Sequence, residues 1–364
     1  MKIALYLPSL RGGGAERVMV NLARGFVARG FMVDLVLAKA EGPYLADVPG
    51  EVRVIDLGAS RVLASLPSLV KYLRRERPTA MLSALNHANI IALWAKRLSK
   101  IPLHLVISEH NTLSISNRNV RNTRSRLIPY LIKKNYPYAD VVVAVSAGVK
   151  NDLFWTTGIA KEKIRVIYNP VVTPELFTKA EEHLDNPWFV PSAPPVIMGL
   201  GRLTAQKDFA LLIRSFAQVR KSCPARLMIL GEGEERPKLE ALVQDLGLQA
   251  DVALPGFMEN PYKYLRRAAI FVLSSRWEGL PTVLIEALAV GTRVVATDCP
   301  SGPAEILADR WGRLVPVSDA DALAKAITAT LNDPTPPRTV WPVKDFDMDV
   351  AVEKYLAALG LVLQ

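Results

Sequence analysis

Two glutamates close together near the end of the chain carry the most chemical information. They lie in the run Trp277-Glu278-Gly279-Leu280-Pro281-Thr282-Val283-Leu284-Ile285-Glu286-Ala287. The apolar residues 270–273 read as a buried strand that feeds a polar turn. Pro281 suits the first position of the helix that follows, where its fixed φ and missing N–H cost nothing. Val283, Leu284, Ala287 and Leu288 make the apolar stripe of that helix, which leaves Thr282 and Glu286 together on another face. Glu278 then stands in the loop before the helix and Glu286 about one and a half turns inside it. Between them, backbone N–H groups at the positive end of the helix dipole form a seat for phosphate. Either glutamate alone would be an ordinary dipole partner. The strand, turn, Pro-Thr start and second glutamate arriving in order suit a nucleotide-sugar, with hydroxyls for the carboxylates and a diphosphate for the helix start.

Three further stretches could contribute. Arg11-Gly12-Gly13-Gly14-Ala15-Glu16-Arg17 follows the first strand and opens the first helix, so backbone can approach a phosphate closely. It is neither a Walker loop nor a dinucleotide fingerprint. Gly199-Leu200-Gly201-Arg202-Leu203-Thr204-Ala205-Gln206-Lys207-Asp208 takes the same place in the second half. There Arg202 offers a guanidinium fork and Lys207 a point charge, both suited to a diphosphate. Glu109-His110-Asn111 ends another apolar strand, where a ligand-facing group belongs in an open α/β sheet. His104, inside that strand, reads as structural, and no pattern supports His87 or His183.

The elements that must position these residues alternate from end to end. In the first half, 3–7, 32–38, 52–57, 80–84, 103–108 and 141–146 read as strands, with helices at 15–29, 63–76, 89–98, 127–135 and 149–155. The proline-rich stretch from Pro170 to Pro195 reads as a linker. The pattern restarts with strands at 196–200, 226–230, 252–254, 270–274, 294–296 and 312–315. Helices at 210–221, 235–246, 261–268, 282–290, 303–308 and 320–331 alternate with these, and a second proline-rich bridge, 332–342, precedes a last helix at 347–359. Such alternation predicts α/β architecture with two doubly wound Rossmann-like domains facing across a cleft. The expected boundaries are 1–170 for the N-terminal domain, 171–195 for the linker and 196–342 for the C-terminal domain. Residues 343–364 should pack back toward the N-terminal domain.

The formal net charge of +10 is unevenly spread: residues 1–190 hold 26 Lys and Arg against 15 Asp and Glu, whereas 191–364 hold 19 against 20. The segment 117–134 carries Arg118, Arg121, Arg124, Arg126, Lys133 and Lys134 and no acid, with Leu127, Ile128, Leu131 and Ile132 at helical spacing. It can lie flat on an anionic membrane, which attracts each such charge by about 1 kcal/mol. Nucleic acid is not expected, because no binding motif or set of stacking aromatics accompanies the charge. No apolar run is long enough to span a bilayer, the N-terminus reads as a strand and not a signal peptide, and Cys223 and Cys299 lack metal-type spacing. A cytoplasmic protein, peripheral at the inner membrane face, is the expectation; its oligomeric state is open.

Taken together, Gly-Gly-Gly-Ala-Glu-Arg at 12–17, Gly-Arg-Leu-x-x-Gln-Lys at 201–207 and the Glu278 to Glu286 element resemble glycosyltransferase family 4 over nearly the whole chain. The resemblance implies the GT-B fold and transfer with retention of anomeric configuration. Asp298-Cys299-Pro300-Ser301-Gly302-Pro303-Ala304-Glu305-Ile306 is similar to the segment after that element in bacterial N-acetylhexosaminyl transferases acting on lipid-linked glycans. By this resemblance Arg202 and Lys207 hold the donor diphosphate, Glu278 the hydroxyls of the transferred sugar and Glu286 the ribose. Gly279, Leu280, Pro281 and Thr282 line the helix start, and Gly13 and Gly14 close on the phosphates. His110 sits near the reacting sugar, and Gly256 and Phe257 wall the base. No cofactor and no metal are expected, since no Asp-x-Asp pair stands at a strand end to hold one. The donor is expected to be a UDP-sugar and the acceptor a lipid-linked glycan. A soluble transferase acting on a small sugar phosphate or polysaccharide is the alternative. A nicotinamide-dependent oxidoreductase lacks its fingerprint, and a dead sugar-binding module would not need Arg202, Lys207, Glu278 and Glu286 together.

Overall fold

The computed structural model describes residues 1–114, 127–308, 310–334 and 343–361. The chain forms two compact units, Met1–Val171 with Lys344–Gln364, and Val172–Val343.

In the first unit seven strands, β1 (Lys2–Leu7), β2 (Met32–Leu37), β3 (Arg53–Asp56), β4 (Ala80–Ala84), β5 (His104–Glu109), β6 (Val141–Ala144) and β7 (Ile164–Val166), form one sheet in the order β3-β2-β1-β4-β5-β6-β7. Every pairing is parallel. The central strands are apolar almost throughout because helices cover both faces, as parallel sheets require. The described helices between strands are α1 (Gly14–Ala28), α2 (Leu66–Glu76), α3 (Asn86–Ser99), α4 (Ile128–Asn135) and α5 (Ala147–Thr157). Residues 115–126, which include Arg118, Arg121, Arg124 and Arg126 of the expected basic segment, lie outside the described residues.

The second unit repeats the plan with six parallel strands, β8 (Val196–Leu200), β9 (Arg226–Leu230), β10 (Val252–Gly256), β11 (Ile270–Leu273), β12 (Val294–Thr297) and β13 (Arg313–Val315), in the order β10-β9-β8-β11-β12-β13. The expected linker is corrected here. Residues 172–195 belong to the second unit and contain α6 (Pro174–Glu181), capped by Thr173 Oγ1 accepting from Leu176 N at 3.2 Å. Ala180 O accepts from Arg267 Nη1, and Glu181 pairs with Arg266, so α6 is fixed to the helix at Tyr262–Arg267. The remaining helices are α7 (Phe209–Val219), α8 (Arg236–Asp245), α9 (Tyr262–Arg267), α10 (Thr282–Ala289), α11 (Pro303–Leu307) and α12 (Ala320–Leu331).

The last helix, α13 (Met348–Ala358), belongs to the first unit, where Val352, Tyr355 and Leu356 enter the core beside Phe26 and Leu22 of α1. Arg29 Nη2 meets Asp349 Oδ1 at 3.0 Å at its start, and His104 Nε2 lies 2.9 Å from Ala358 O at its end, which accounts for His104 as a structural residue. Close approach of α13 to α1 depends on Gly25: a Cβ there would lie 2.3 Å from Val352 Cγ2. Helix propensity favours Ala over Gly by about 1 kcal/mol, but overpacking costs about 1–3 kcal/mol. Gly25→Ala should therefore lower the stability of the first unit in urea denaturation. Adding Val352→Ala should recover part of the loss, whereas a Gly25→Ala chain more stable than wild type would mean that propensity outweighs packing here.

Candidate active site

Each sheet has one place where chain connections leave in opposite directions, and loops at the carboxyl ends of the two strands there flank a crevice. In the second unit those strands are β8 and β11, because β8 pairs with β9 on one side and β11 on the other. The loop after β8 carries Arg202 and Lys207, and the loop after β11 carries Glu278. The topology thus brings together residues far apart in sequence. Arg276 N donates to Gln206 O, Gln206 Nε2 to Trp277 O, and Ser274 Oγ to Lys207 O. Asp208 carries a positive φ of 46°, caps α7 and accepts from Arg276 Nε at 2.6 Å. Held by these bonds, Lys207 Nζ meets Glu278 Oε1 at 2.6 Å, and Ser275 Oγ donates to the same oxygen at 2.6 Å. Sequence reasoning assigned these side chains to separate parts of a ligand; without ligand they neutralise each other. Arg202 is exposed, and its guanidinium meets no other described side chain.

Glu278 is 6 % exposed. Its charge reaches the neighbouring Cys299, whose thiol is pushed up to about 12 by burial first and by Glu278 second, so the cysteine is inert. The helix start differs by one residue from the expectation. Pro281 is the cap, with an extended ψ of 97°, and Thr282 is the first helical residue. Pro281 supplies no side-chain cap to this end, and Leu284 N donates to Pro281 O at 3.1 Å. Gly279 and Leu280 are buried, and Gly279 O accepts from Ser301 Oγ at 2.8 Å. Gly302 has a φ of 97°, and a Cβ on it would lie 2.5 Å from Pro281 Cδ, so the loop after β12 closes on the helix start only with glycine there. Glu286 is buried within α10. Gly256 ends β10, the edge strand, and Phe257 beyond it is half exposed. An Asp-x-Asp pair, Asp319 and Asp321, lies at the start of the helix after β13 and not at the strand end. Asp319 caps α12 and Asp321 accepts from Gln218 Nε2, so both serve helix packing.

In the first unit the corresponding strands are β1 and β4. The glycine loop follows β1, with Gly12 at a φ of 102° that other residues rarely adopt. Gly13 caps α1 and donates its N–H to Glu16 Oε2 at 2.7 Å, so an internal carboxylate occupies the position expected for a ligand phosphate. Gly14 is exposed. His87 stands in the first turn of α3 directly after β4, preceded by Leu85 at a strained φ of 77°. The sequence held no signal for His87, because its place follows only from strand order.

His110 lies one strand further on, after β5. Ser108 Oγ is 2.9 Å from His110 Nε2 and gives its own hydrogen to Ser83 O at 3.4 Å. The network therefore assigns the proton to Nε2 and leaves Nδ1 as the acceptor. Burial lowers the imidazole to about 4, so the ring is neutral at physiological pH. Glu109, quoted in sequence only as a neighbour, is 1 % exposed. Its Oε2 accepts from Tyr136 Oη at 2.8 Å and its Oε1 from His110 N at 3.2 Å, yet burial lifts it to about 7.

The sequence-family description "Glycosyltransferase Family 4" matches residues 12–174, and "Glycosyl transferases group 1" matches 181–341. A Campylobacter jejuni N-acetylgalactosamine-N,N'-diacetylbacillosaminyl-diphospho-undecaprenol 4-alpha-N-acetylgalactosaminyltransferase is 33% identical, covering 91% of this chain and 90% of that protein. The chain belongs to glycosyltransferase family 4. This family 4 glycosyltransferase is also 30% identical to the Rhizobium meliloti lipopolysaccharide core biosynthesis glycosyltransferase LpsE, covering 89% of this chain and 87% of that one. Among solved structures, Anabaena HepE in complex with UDP and glucose superposes with a TM-score of 0.79 at 21% identity over 99% of both chains, and the shared fold is GT-B.

Glu109 and His110 give the transferase a specific pH signature. Unfolded Glu109 releases its proton near 4.5 and folded Glu109 near 7, so its stabilising contribution is full below pH 4.5 and lost as pH rises to 7. Unfolded His110 gains a proton below 6.5 and folded His110 only below about 4, so its contribution is full above pH 6.5 and lost as pH falls to 4. Between these limits the two slopes, each about 1.4 kcal/mol per pH unit, cancel. Relative to wild type in urea denaturation, Glu109→Gln should lose stability as pH falls from 6.5 to 4.5, and His110→Gln should lose it as pH rises over the same window. Difference curves of the same sign for both variants would contradict this.

Proposed function

We propose that this glycosyltransferase moves a hexose or N-acetylhexosamine from a UDP-sugar to a lipid-linked glycan, with retention of configuration and without a metal. The Lys207–Glu278 pair at the β8–β11 crevice, beside the start of α10, carries the reading. A donor diphosphate brings negative charge that competes with Glu278 for Lys207. Lys207 and the exposed Arg202 would take the phosphates together with the N–H groups at Thr282, and the released Glu278 would accept hydroxyls of the transferred sugar. Glu286 is assigned to the ribose, and Gly256 with Phe257 to the base. Gly13 and Gly14 are assigned to the phosphates, and His110 to the transferred sugar, where a neutral ring offers its Nδ1 lone pair to a hydroxyl or to developing positive charge at the anomeric carbon.

In the proposed step the bond from the anomeric carbon to the diphosphate oxygen breaks and UDP departs. The acceptor oxygen bonds to the same face of that carbon, and its proton passes to the departing phosphate oxygen. Each well-placed donor on the leaving charge is worth about 3–4 kcal/mol. A Glu278 carboxylate that already accepts from Lys207 and Ser275 is a better hydroxyl binder than nucleophile, which favours this front-face route over a covalent sugar–enzyme intermediate.

The lipid-linked acceptor is supported by the names of relatives such as the Campylobacter enzyme. No helix among the described residues is long and apolar enough to cross a membrane. On α4 Ile132 is buried while Tyr130, Lys133 and Lys134 are exposed, which suits contact of the segment 117–134 with anionic lipid at the inner face of the cytoplasmic membrane.

Lys207→Ala should lower kcat by about 100- to 1,000-fold with UDP-sugar donors. Glu278→Gln should abolish transfer and remain folded. Glu278→Ala, which strands a mostly buried ammonium, should also lose thermal stability. A sugar trapped covalently on Glu278 in a single turnover would overturn the front-face route, and a UDP-sugar screen without a shift in melting temperature would overturn the donor. In flotation at low salt, binding to anionic vesicles should weaken in Lys133→Glu with Lys134→Glu; a wild-type chain that stays off such vesicles favours a soluble acceptor.

A further inference from the structure

We propose that Glu109 is a positioning residue: its buried carboxylate, when ionised, clamps the His110–Asn111 turn by its backbone and so holds the His110 ring in the orientation that transfer needs. This rests on the reading that His110 meets the reacting sugar.

The geometry is a closed circuit around one turn. Glu109 Oε1 accepts at 3.2 Å from the backbone N–H of His110, the first residue of the turn. Its Oε2 accepts from Tyr136 Oη at 2.8 Å, and Tyr136 is fully buried. Asn89 Nδ2, from α3, reaches Tyr136 Oη at 3.1 Å and Ser108 O at 2.9 Å. Ser108 Oγ in turn holds the His110 ring at Nε2. The network thus grips His110 twice, by its backbone through Glu109 and by its ring through Ser108. A purely structural acid at a strand end has no need of the second grip.

The charge state decides whether the first grip holds. The titratable groups that face Glu109 are Tyr136 from the turn after α4, His110 beside it, and Asp152 from α5, itself accepting from Leu113 N and Ser114 N. None of these groups is a cation, since His110 is neutral. Two donors, Tyr136 Oη and His110 N, converge on the carboxylate, one on each oxygen, an arrangement strongest for the ionised form. A protonated Glu109 must place its hydroxyl hydrogen toward Tyr136 Oη, which then turns its own hydrogen away. The neutral carbonyl oxygen left to His110 N is a weaker acceptor than a carboxylate oxygen, so the grip on the turn loosens. Burial opposes ionisation while the donors favour it, and the balance near neutrality leaves both forms accessible.

The test uses the full chain with 15N-labelled histidine, where the His110 ring signals are those absent from His110→Gln. In wild type they should shift in one step centred near pH 7, without the signature of an imidazolium, and the step should vanish in Glu109→Gln. Tyr136→Phe removes one donor from the carboxylate and should move the step to higher pH. In transfer assays the wild-type kcat should rise through the same pH. In Glu109→Gln it should be flat and about ten- to a hundredfold lower, with the donor KM changed far less. A His110 signal that is flat in wild type or unchanged in Glu109→Gln overturns the clamp, as does a kcat indifferent to both. The step present without transfer from any UDP-sugar supports the clamp and overturns the donor assignment beneath it.

Discussion

The contact on which the second unit's chemistry depends is the 2.6 Å ion pair between Lys207 and Glu278. Taking both charges out of water costs several kcal/mol per ion, and a pair of this kind returns that cost only with good geometry and further hydrogen bonds. The geometry comes from elsewhere. The β8 and β11 loops are laced by Arg276 to Asp208, Gln206 to Trp277 and Ser274 to Lys207, so the ammonium and carboxylate meet with little freedom left to lose. Arg276 and Asp208 form the outer member of this lacing, and Lys207 and Glu278 the inner one. A pair built in this way is charge-balanced and held in place by the two loops' own hydrogen bonds.

The sequence predicted this arrangement unevenly, for physical reasons. The four inner strands of the second sheet are legible because each is a short apolar run bounded by turn residues, and parallel burial on both faces makes such runs continuous; the edge strands β10 and β13 were read from shorter apolar stretches. β7 was not read: it is Ile164-Arg165-Val166 on a sheet edge, where the exposed residue in the middle leaves no two apolar residues together. The stretch 171–195 was misread because its prolines were taken as the mark of a linker. Thr173 before Pro174 and Glu175 is a helix start, with a capping hydroxyl and a proline that needs no N–H donor.

The candidate residues divide in the same way. Arg202, Lys207, Glu278 and Glu286 are legible by motif, but the bond from Lys207 to Glu278 is not. It spans two loops that only strand order makes neighbours. Gly13 was read as a donor to a ligand, yet Glu16, in the same motif, supplies the acceptor. Glu109 was named only as a member of the polar triplet after β5, in which His110 alone was given a role, and nothing local marks its carboxyl as buried. Only Tyr136, far along the chain and fully buried, does so.

The two units hold their buried glutamates by opposite means. Glu278 is matched by a full positive charge, so its partner can be taken away only by another anion. Glu109 is matched by a phenol and a backbone N–H, which are donors without charge, so burial is not offset and its ionisation stays within reach of a change in pH. Among the described residues, the same side chain is thus held by a cation in one unit and by uncharged donors in the other. What separates the two is the charge of the nearest donor. A substitution that brought a cation beside Glu109 would convert the second kind into the first, and with it would go the opposition between Glu109 and His110 that keeps this end of β5 indifferent to mild acid.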